Sequence, residues 1–374
     1  MVVGAGPAGL AAGAALRVAG VEATLLDRAP DVGASWRGRY DRLRLNTSRH
    51  LSRLPGYPFS RSDDRWPSRD QVVRYLERFA AHHALEVAFE TEVRRVDRLG
   101  ARWVVRTTGG DVAGGSVVLA TGQDRNPVVP AWPGRESFPG EIVHSGAYRN
   151  ASRFRDRDVL VVGAGDSAAD IAVDLAEGGA RSVWMSVRTP SHVIPRSTMG
   201  VPTDVTASMI HRLPPRLVDP MIGTVARMRV GDLSRYGMPR PTQGLYSRFL
   251  EHRRAPIIDP GDFVRALRSG RVQVVPAVER FDGRAVRLAS GRTVEVDAVV
   301  AATGYRPGLE QLVGHLGVLA ADGYPAVHAP DAHPNAPGLY FLGFRYPFSG
   351  NFRQVRIDAR KTARRIGRRV GGRS

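Results

Sequence analysis

The chain has 374 residues, enough for two hydrophobic cores, and its 54 basic against 36 acidic residues give a formal charge of +18. It has no cysteine, which excludes disulfides, iron–sulfur clusters and thiolate zinc sites, and no metal is expected. Lys361 is the only lysine and arginines are spread along the whole sequence, so the charge reads as a bias toward Arg; neither nucleic acid nor a membrane is the expected partner.

Residues 1–28 read as strand, turn, helix, strand. The turn is Gly4, Ala5, Gly6, Pro7, Ala8 and Gly9, and the following apolar run closes on Asp27 and Arg28. This is the strand–turn–helix pattern of a dinucleotide site: the glycines permit a tight turn, and a pyrophosphate rests on the helix start. Only Met1, Val2 and Val3 precede the first glycine, so the natural start is expected a few residues upstream. The opening is apolar but lacks the basic start of a signal peptide, and no stretch reaches the roughly twenty apolar residues of a membrane span. A cytoplasmic protein is expected.

Residues 33–60 are irregular, with Trp36 and Asn46 among them, and a loop this long is more often functional than idle. A capped helix is predicted from Ser68 through Val72, Tyr75, Leu76 and Phe79. Short alternating runs then lead to Val117–Leu119 and the small residues Ala120, Thr121 and Gly122.

A second fingerprint, Gly163, Ala164, Gly165, Asp166, Ser167 and Ala168, follows the strand Asp158–Val162. Asp27 and Ser186 stand equally far from the first glycine of their fingerprints. A carboxylate at that place accepts hydrogen bonds from a free ribose and repels a 2′-phosphate, whereas Ser186 with Arg188 offers a hydroxyl and a planar fork. The pair reads as one site for FAD and one for NADPH. The plain alternatives are a solvated strand end for Asp27 and a surface cation for Arg188.

Residues 199–260 interrupt the second unit. Val205, Met209, Leu213, Leu217, Met221 and Val225 recur at helical spacing, broken by Pro214, Pro215 and Pro220. This predicts a helical pair with one apolar face packed on the domain core, the alternatives being a cover over a substrate entry or a membrane-surface contact. The run Ala298–Ala302 ends in Thr303, Gly304 and Tyr305, repeating the earlier Ala-Thr-Gly. The stretch from Gly338 to Gly343 reads as a closing strand, and Ala363, Ile366 and Val370 place the basic tail on a terminal helix. The expected fold is α/β, with two Rossmann-like dinucleotide-binding domains. Residues 1–150 and 308–374 form an FAD domain, and 151–307 an inserted NADPH domain with the helical insertion at about 199–260.

Between the fingerprints, Phe138, Gly140, His144 and Tyr148 fall in a pattern that resembles the F-x-G-x-x-x-H-x-x-x-Y/F signature of the flavin-containing monooxygenases. The Ser-Val-Arg-Thr-Pro run at 186–190 and Ala302–Tyr305 are also similar to that family, and residues 213–241 resemble its YUCCA-type branch. The resemblance covers essentially the whole chain. It implies FAD, NADPH, dioxygen and a small organic substrate. It also implies a flavin 4a-hydroperoxide that transfers one oxygen atom, either to nitrogen or sulfur or to a 2-oxo acid such as indole-3-pyruvate with decarboxylation.

Asn46 matches the Asn of heteroatom-oxygenating members, where it would donate to the peroxy group as the catalytic residue. His144 is expected to be structural. The lack of cysteine separates the chain from the disulfide reductases that share tandem nucleotide folds, and Gly343 is followed by Phe344 rather than by an acid. The rival reading is an NADPH-dependent flavin reductase or diaphorase without oxygen insertion. A homodimer stays open.

Overall fold

The first fingerprint follows a two-residue strand, Val2–Val3, in a computed structural model that describes residues 1–210, 213–252, 257–345 and 349–371. Val2 and Val3 are buried because the strand sits mid-sheet with both faces covered. The sheet is parallel, in the order Leu339–Phe341, Val117–Leu119, Val2–Val3, Leu25–Leu26, Val87–Ala88. The helix Pro7–Val18 is Ala- and Gly-rich over its buried face, which lets it pack closely on the sheet. It also packs against the terminal helix Asn351–Gly371. Ala363 and Ile366 of that helix are buried as their spacing predicts, whereas Val370 is exposed. The helix Arg69–His82 starts on a capping box: Ser68 Oγ accepts from Gln71 N at 3.3 Å, and Ser68 N donates to Gln71 Oε1 at 2.9 Å. With a small antiparallel meander (Val93–Leu99, Arg102–Thr107, Gly110–Gly114), these elements make one compact unit, Met1–Arg37, Thr47–Asn126 and Tyr305–Ser374.

The second unit comprises Gly38–Asn46 and Pro127–Gly304. Its parallel sheet runs Gln273–Val275, Ser182–Ser186, Asp158–Val162, Ala298–Ala301, Glu141–His144. The helix Asp166–Glu177 buries Ala168, Ala169, Ile171, Ala172, Val173 and Leu175. A meander again precedes the Ala-Thr-Gly strand (Val278–Asp282, Ala285–Leu288, Thr293–Glu295). Residues 127–150 group here because Glu141–His144 is an edge strand of this sheet. Residues 38–46 join through Tyr40, whose hydroxyl donates to Asp170 Oδ2 at 3.0 Å.

The insertion corrects one expectation. It holds the helices Thr203–Ile210, Pro215–Val230 and Leu245–His252, and Pro220 lies inside the second without ending it. Met209, Leu213, Leu217 and Met221, the residues expected to pack on a core, are exposed. The covered stripe runs instead through Val218, Ile222, Ala226 and Val230, with Val218 and Val230 fully buried. The period was right and the phase was off by one residue. The reason is polar: Asp219 accepts from Tyr246 N at 2.7 Å and from Ser247 N and Oγ, turning its side of the helix toward Leu245–His252. Among the described residues no helix is long and apolar enough to cross a membrane.

Candidate functional site

The two fingerprint turns use their glycines alike. A Cβ on Gly4 would stand 2.5 Å from Ala120 O, and one on Gly163 would stand 2.4 Å from Ala302 O. Each first glycine therefore lets the turn touch the neighbouring Ala-Thr-Gly strand end, with φ of +107° and +154°. A Cβ on Gly9 would stand 1.6 Å from Gly4 O, so the third glycine closes the helix on the turn; Ala168, fully buried, takes that place in the second unit. Around Gly6 and Gly165 a Cβ would meet no described atom within 4 Å. The open glycines precede helices that start without a side-chain cap, so first-turn N–H groups face free space where an anion fits.

Further observations fit a nucleotide on the first unit. Thr121 Oγ1 and Gln123 Oε1 are buried with no hydrogen-bond partner among the described residues, beside Gly122 at φ +80°. Gly343 lets the end of the Leu339–Phe341 strand approach Ala8, to whose Cβ an added methyl would stand at 2.8 Å. Asp27 accepts from Ala5 N at 2.5 Å and from Ala29 N at 2.8 Å, which holds its carboxylate at the strand end. Arg28 beside it is exposed, and Trp36 is half-buried with its ring edge-on to Phe352 at 5.9 Å. Sequence reasoning missed Arg125, a largely covered cation 3.6 Å from Glu92. Burial lowers its pKa, as does the like charge of Arg28. Nothing in its local sequence marks it; only the fold brings it beside Asp27 and Arg28.

The second unit shifts the strand-end comparison by one residue. Gly4 N donates to Leu26 O at 2.7 Å, whereas Gly163 N donates to Ser186 O at 3.1 Å. Backbone register thus pairs Ser186 with Leu26, Val187 with Asp27 and Arg188 with Arg28. Ser186 is buried and its hydroxyl donates to Pro276 O at 2.9 Å, while Val187 is buried and Arg188 exposed. The place that Asp27 holds in the first unit is therefore apolar here, with the exposed cation Arg188 next to it. Arg248, also missed, donates to Pro190 O at 3.3 Å and keeps a buried Nε with no partner among the described residues. Its distance in sequence from Arg188 hid it.

The signature residues make packing and hydrogen-bond contacts within the second unit. His144 Nδ1 accepts from Gly146 N at 3.0 Å, so Nε2 carries the proton and donates to Gly304 O at 3.0 Å. Gly304 O also accepts from Val128 N at 3.0 Å, and Thr303 Oγ1 donates to Val128 O. A Cβ on Gly140 would stand 2.2 Å from Asp297 O, and Phe138 packs against Phe281 at 5.4 Å. Tyr148 donates to Asp174 Oδ2 at 2.6 Å and stacks on Phe154. Together they pin the edge strand Glu141–His144 and the Ala-Thr-Gly end. Tyr305, half-buried, follows that end.

Asn46 is exposed, and its side chain lies at the second fingerprint. Its Nδ2 donates to Asp166 Oδ2 at 2.7 Å and its Oδ1 accepts from Arg196 Nε at 3.0 Å, which fixes the amide's orientation. Asp166 Oδ1 accepts from Asp259 N at 3.3 Å. Burial, then the neighbouring Asp170 carboxylate, pushes the Asp166 pKa up to about 8. Burial also raises Asp170 and Asp259, with Arg196 opposing in both.

The profile of the pyridine nucleotide-disulphide oxidoreductase family matches residues 1–201. The chain is 34% identical over 357 residues to the probable indole-3-pyruvate monooxygenase YUCCA3 of Arabidopsis thaliana, covering 92% of this chain and 81% of the relative. It is 35% identical to the indole-3-pyruvate monooxygenase YUCCA1 of Oryza sativa subsp. japonica, over 92% of this chain and 86% of that one. Its fold matches a flavin-containing monooxygenase from Stenotrophomonas maltophilia with a TM-score of 0.70 at 24% identity, covering 99% and 97% of the two chains. It matches open cyclohexanone monooxygenase with a TM-score of 0.73 at 19% identity, covering 100% and 87%.

Proposed function

Because the chain belongs to the flavin-containing monooxygenases and uses FAD and NADPH, we propose that its substrate is an aryl 2-oxo acid of the indole-3-pyruvate kind. The observation that carries this reading is identity of about a third to enzymes named for that reaction, sustained over nine-tenths of the chain. The balanced reaction takes the 2-oxo acid, dioxygen, NADPH and a proton to the shortened carboxylic acid, carbon dioxide, water and NADP⁺. Bound FAD, reduced by NADPH, supplies the activated oxygen; the chain supplies position, polarity and dryness.

In this reading the first unit holds FAD. The turn from Gly4 to Gly9 seats the pyrophosphate, Asp27 takes the ribose, and Arg28 and Arg125 stand beside it. Trp36, Thr121, Gly122 and Gly343 form the walls. The second unit holds NADPH: Gly163, Gly165, Ser167 and Ala168 form the seat, Arg188 reads the 2′-phosphate, and Thr303 and Gly304 back it. Ser186 acts through the backbone rather than on the ribose. The protein works in the cytoplasm.

One observation favours a second reading, oxygenation of nitrogen or sulfur. Asn46 has its carbonyl tied to Arg196 and one amide hydrogen tied to Asp166. The other amide hydrogen is left as a neutral donor, which stabilises a developing charge without delivering a proton.

The deciding experiment supplies NADPH and dioxygen with indole-3-pyruvate, or in parallel with an alkyl sulfide and a tertiary amine. It measures carbon dioxide, oxygenated product and hydrogen peroxide per NADPH. Stoichiometric carbon dioxide supports the 2-oxo acid, and S- or N-oxide selects the second reading. Hydrogen peroxide alone with every substrate counts against both. Asn46→Ala should leave flavin reduction at saturating NADPH unchanged and raise the peroxide share; unaltered coupling would remove Asn46 from the chemistry.

A further inference from the structure

The two fingerprint helices differ at their first residue. The first begins with Pro7 and the second with Asp166, an acid where a pyrophosphate is to sit. An ionised carboxylate there repels the two phosphates of a dinucleotide. A protonated one donates a hydrogen bond to them instead.

The surroundings of Asp166 already disfavour its charge. Asp170 lies one turn along the same helix, accepting from the Tyr40 hydroxyl at 3.0 Å. Asp259 faces it from the insertion, donating its backbone N–H to Asp166 Oδ1 at 3.3 Å. Three carboxylates therefore share the neighbourhood, and among the described residues one cation opposes the rise at all three. That cation is Arg196, whose Nε lies 3.5 Å from Asp259 Oδ2 and also donates to Asn46. Arg42, on the segment that carries Tyr40 and Asn46, also opposes the rise at Asp170 but is itself paired with Glu177 and Asp262. The N-terminal end of a helix dipole favours an anion, but burial and the neighbouring acids outweigh it, and the group's pKa stands at about 8. A dinucleotide brings further negative charge and no counter-ion, so it pushes the same equilibrium further toward the protonated acid.

We propose that, at alkaline pH where it is ionised in the free enzyme, Asp166 takes up one proton from solvent when the nicotinamide nucleotide seats its pyrophosphate on the second fingerprint, so that NADP(H) binding is coupled to protonation of this carboxylate. This rests on the assignment of Gly163–Ala168 as the NADPH turn. Asp166 becomes a binding group for the nucleotide in its acid form and a barrier to it in its ionised form. Asn46 is coupled to the same event, because the Asp166 oxygen that accepts its amide hydrogen belongs to the group that changes charge.

The test is titration calorimetry of NADP⁺ into the FAD-loaded enzyme from pH 7 to 9.5, in two buffers of different ionisation enthalpy. Staying above pH 7 keeps the 2′-phosphate, whose second pKa is roughly 6, in one state. The wild type should weaken roughly tenfold for each pH unit above the break and take up about one proton per nucleotide, the slope of a one-proton linkage. Asp166→Asn should bind with a flat profile and no proton uptake.

Asp170→Asn keeps Asp166 but removes its charged neighbour, and should move the break to lower pH. An unmoved break would assign the proton elsewhere and overturn the proposal, as would a flat wild-type profile. Gly165→Ala separates this proposal from the assignment beneath it. If that variant binds NADP⁺ as the wild type does, the seat is misassigned. If it loses binding while the wild type shows no proton uptake, the seat stands and the proton coupling falls.

Discussion

The two nucleotide units are built to one plan and diverge in a handful of side chains. Their sheets share the same strand order through four strands, and both place a three-stranded meander before the strand that ends in Ala-Thr-Gly. The fifth strand differs in origin: Leu339–Phe341 comes from the end of the chain, Glu141–His144 from just before the second fingerprint. The helix starts differ as well, Pro7 against Asp166, and the strand ends differ as Asp27 against Val187 with Arg188. The backbone geometry is thus common to both units, while the side chains at the helix starts and strand ends differ.

The largest effects should come from breaking what the turns share. Gly9→Ala or Gly163→Ala drives a methyl into a backbone carbonyl, at 1.6 Å and 2.4 Å respectively. Gly9→Ala should yield protein without flavin or no folded protein, and Gly163→Ala should abolish NADPH binding. Gly6→Ala and Gly165→Ala are the sharper pair, since their methyls meet no described protein atom. Thermal stability of the apoprotein should hold while FAD or NADPH binding is lost. A variant that binds normally would show that its open glycine is not the seat.

Next in size is the reader. Arg188→Ala should raise the NADPH Kd roughly ten- to a hundredfold, the loss of a charged hydrogen bond of about 1.5–3 kcal/mol, and leave NADH nearly unaffected. An unchanged preference between the two nucleotides would move the 2′-phosphate to another cation, with Arg248 the first to try.

The acid at the second helix start gives a pH signature without any nucleotide. Its folded pKa of about 8 lies above the ordinary carboxylate value of 3.8. The folded chain then holds a proton that the unfolded chain releases, and the stability it contributes below pH 4 is lost as pH rises toward 8. Apo wild type should therefore lose stability relative to Asp166→Asn across that window, read as a widening gap in urea midpoints. A constant gap would mean that Asp166 ionises normally.

Smallest is Tyr148→Phe, which removes the hydroxyl bonded to Asp174. With a typical hydrogen bond worth about 1 kcal/mol, Tm should fall by roughly 2–4 °C. Hydride transfer should be untouched if the signature only pins the strand.

Much of this was legible because glycine turns are local. A positive φ, a tight approach and a helix start follow from adjacent residues, so both fingerprints, the capped helix at Ser68 and both Ala-Thr-Gly ends were readable from the chain. The insertion was readable in period but not in phase, because a single polar anchor, Asp219 to the start of the next helix, set which side is covered. The match of Ser186 to Asp27 failed for a related reason: equal spacing does not guarantee equal register when the helix-to-strand connections differ.

The sequence by itself determined the number of dinucleotide-fold units, the absence of thiol chemistry and the charged residue near each strand end, since these depend on residue type and short spacing. Only the tertiary structure decided that Asn46 meets Asp166 and Arg196, that Arg125 joins Arg28, and that three carboxylates share one arginine. Those contacts join residues up to 150 positions apart. Their consequences come from burial and mutual charge, which no local pattern encodes.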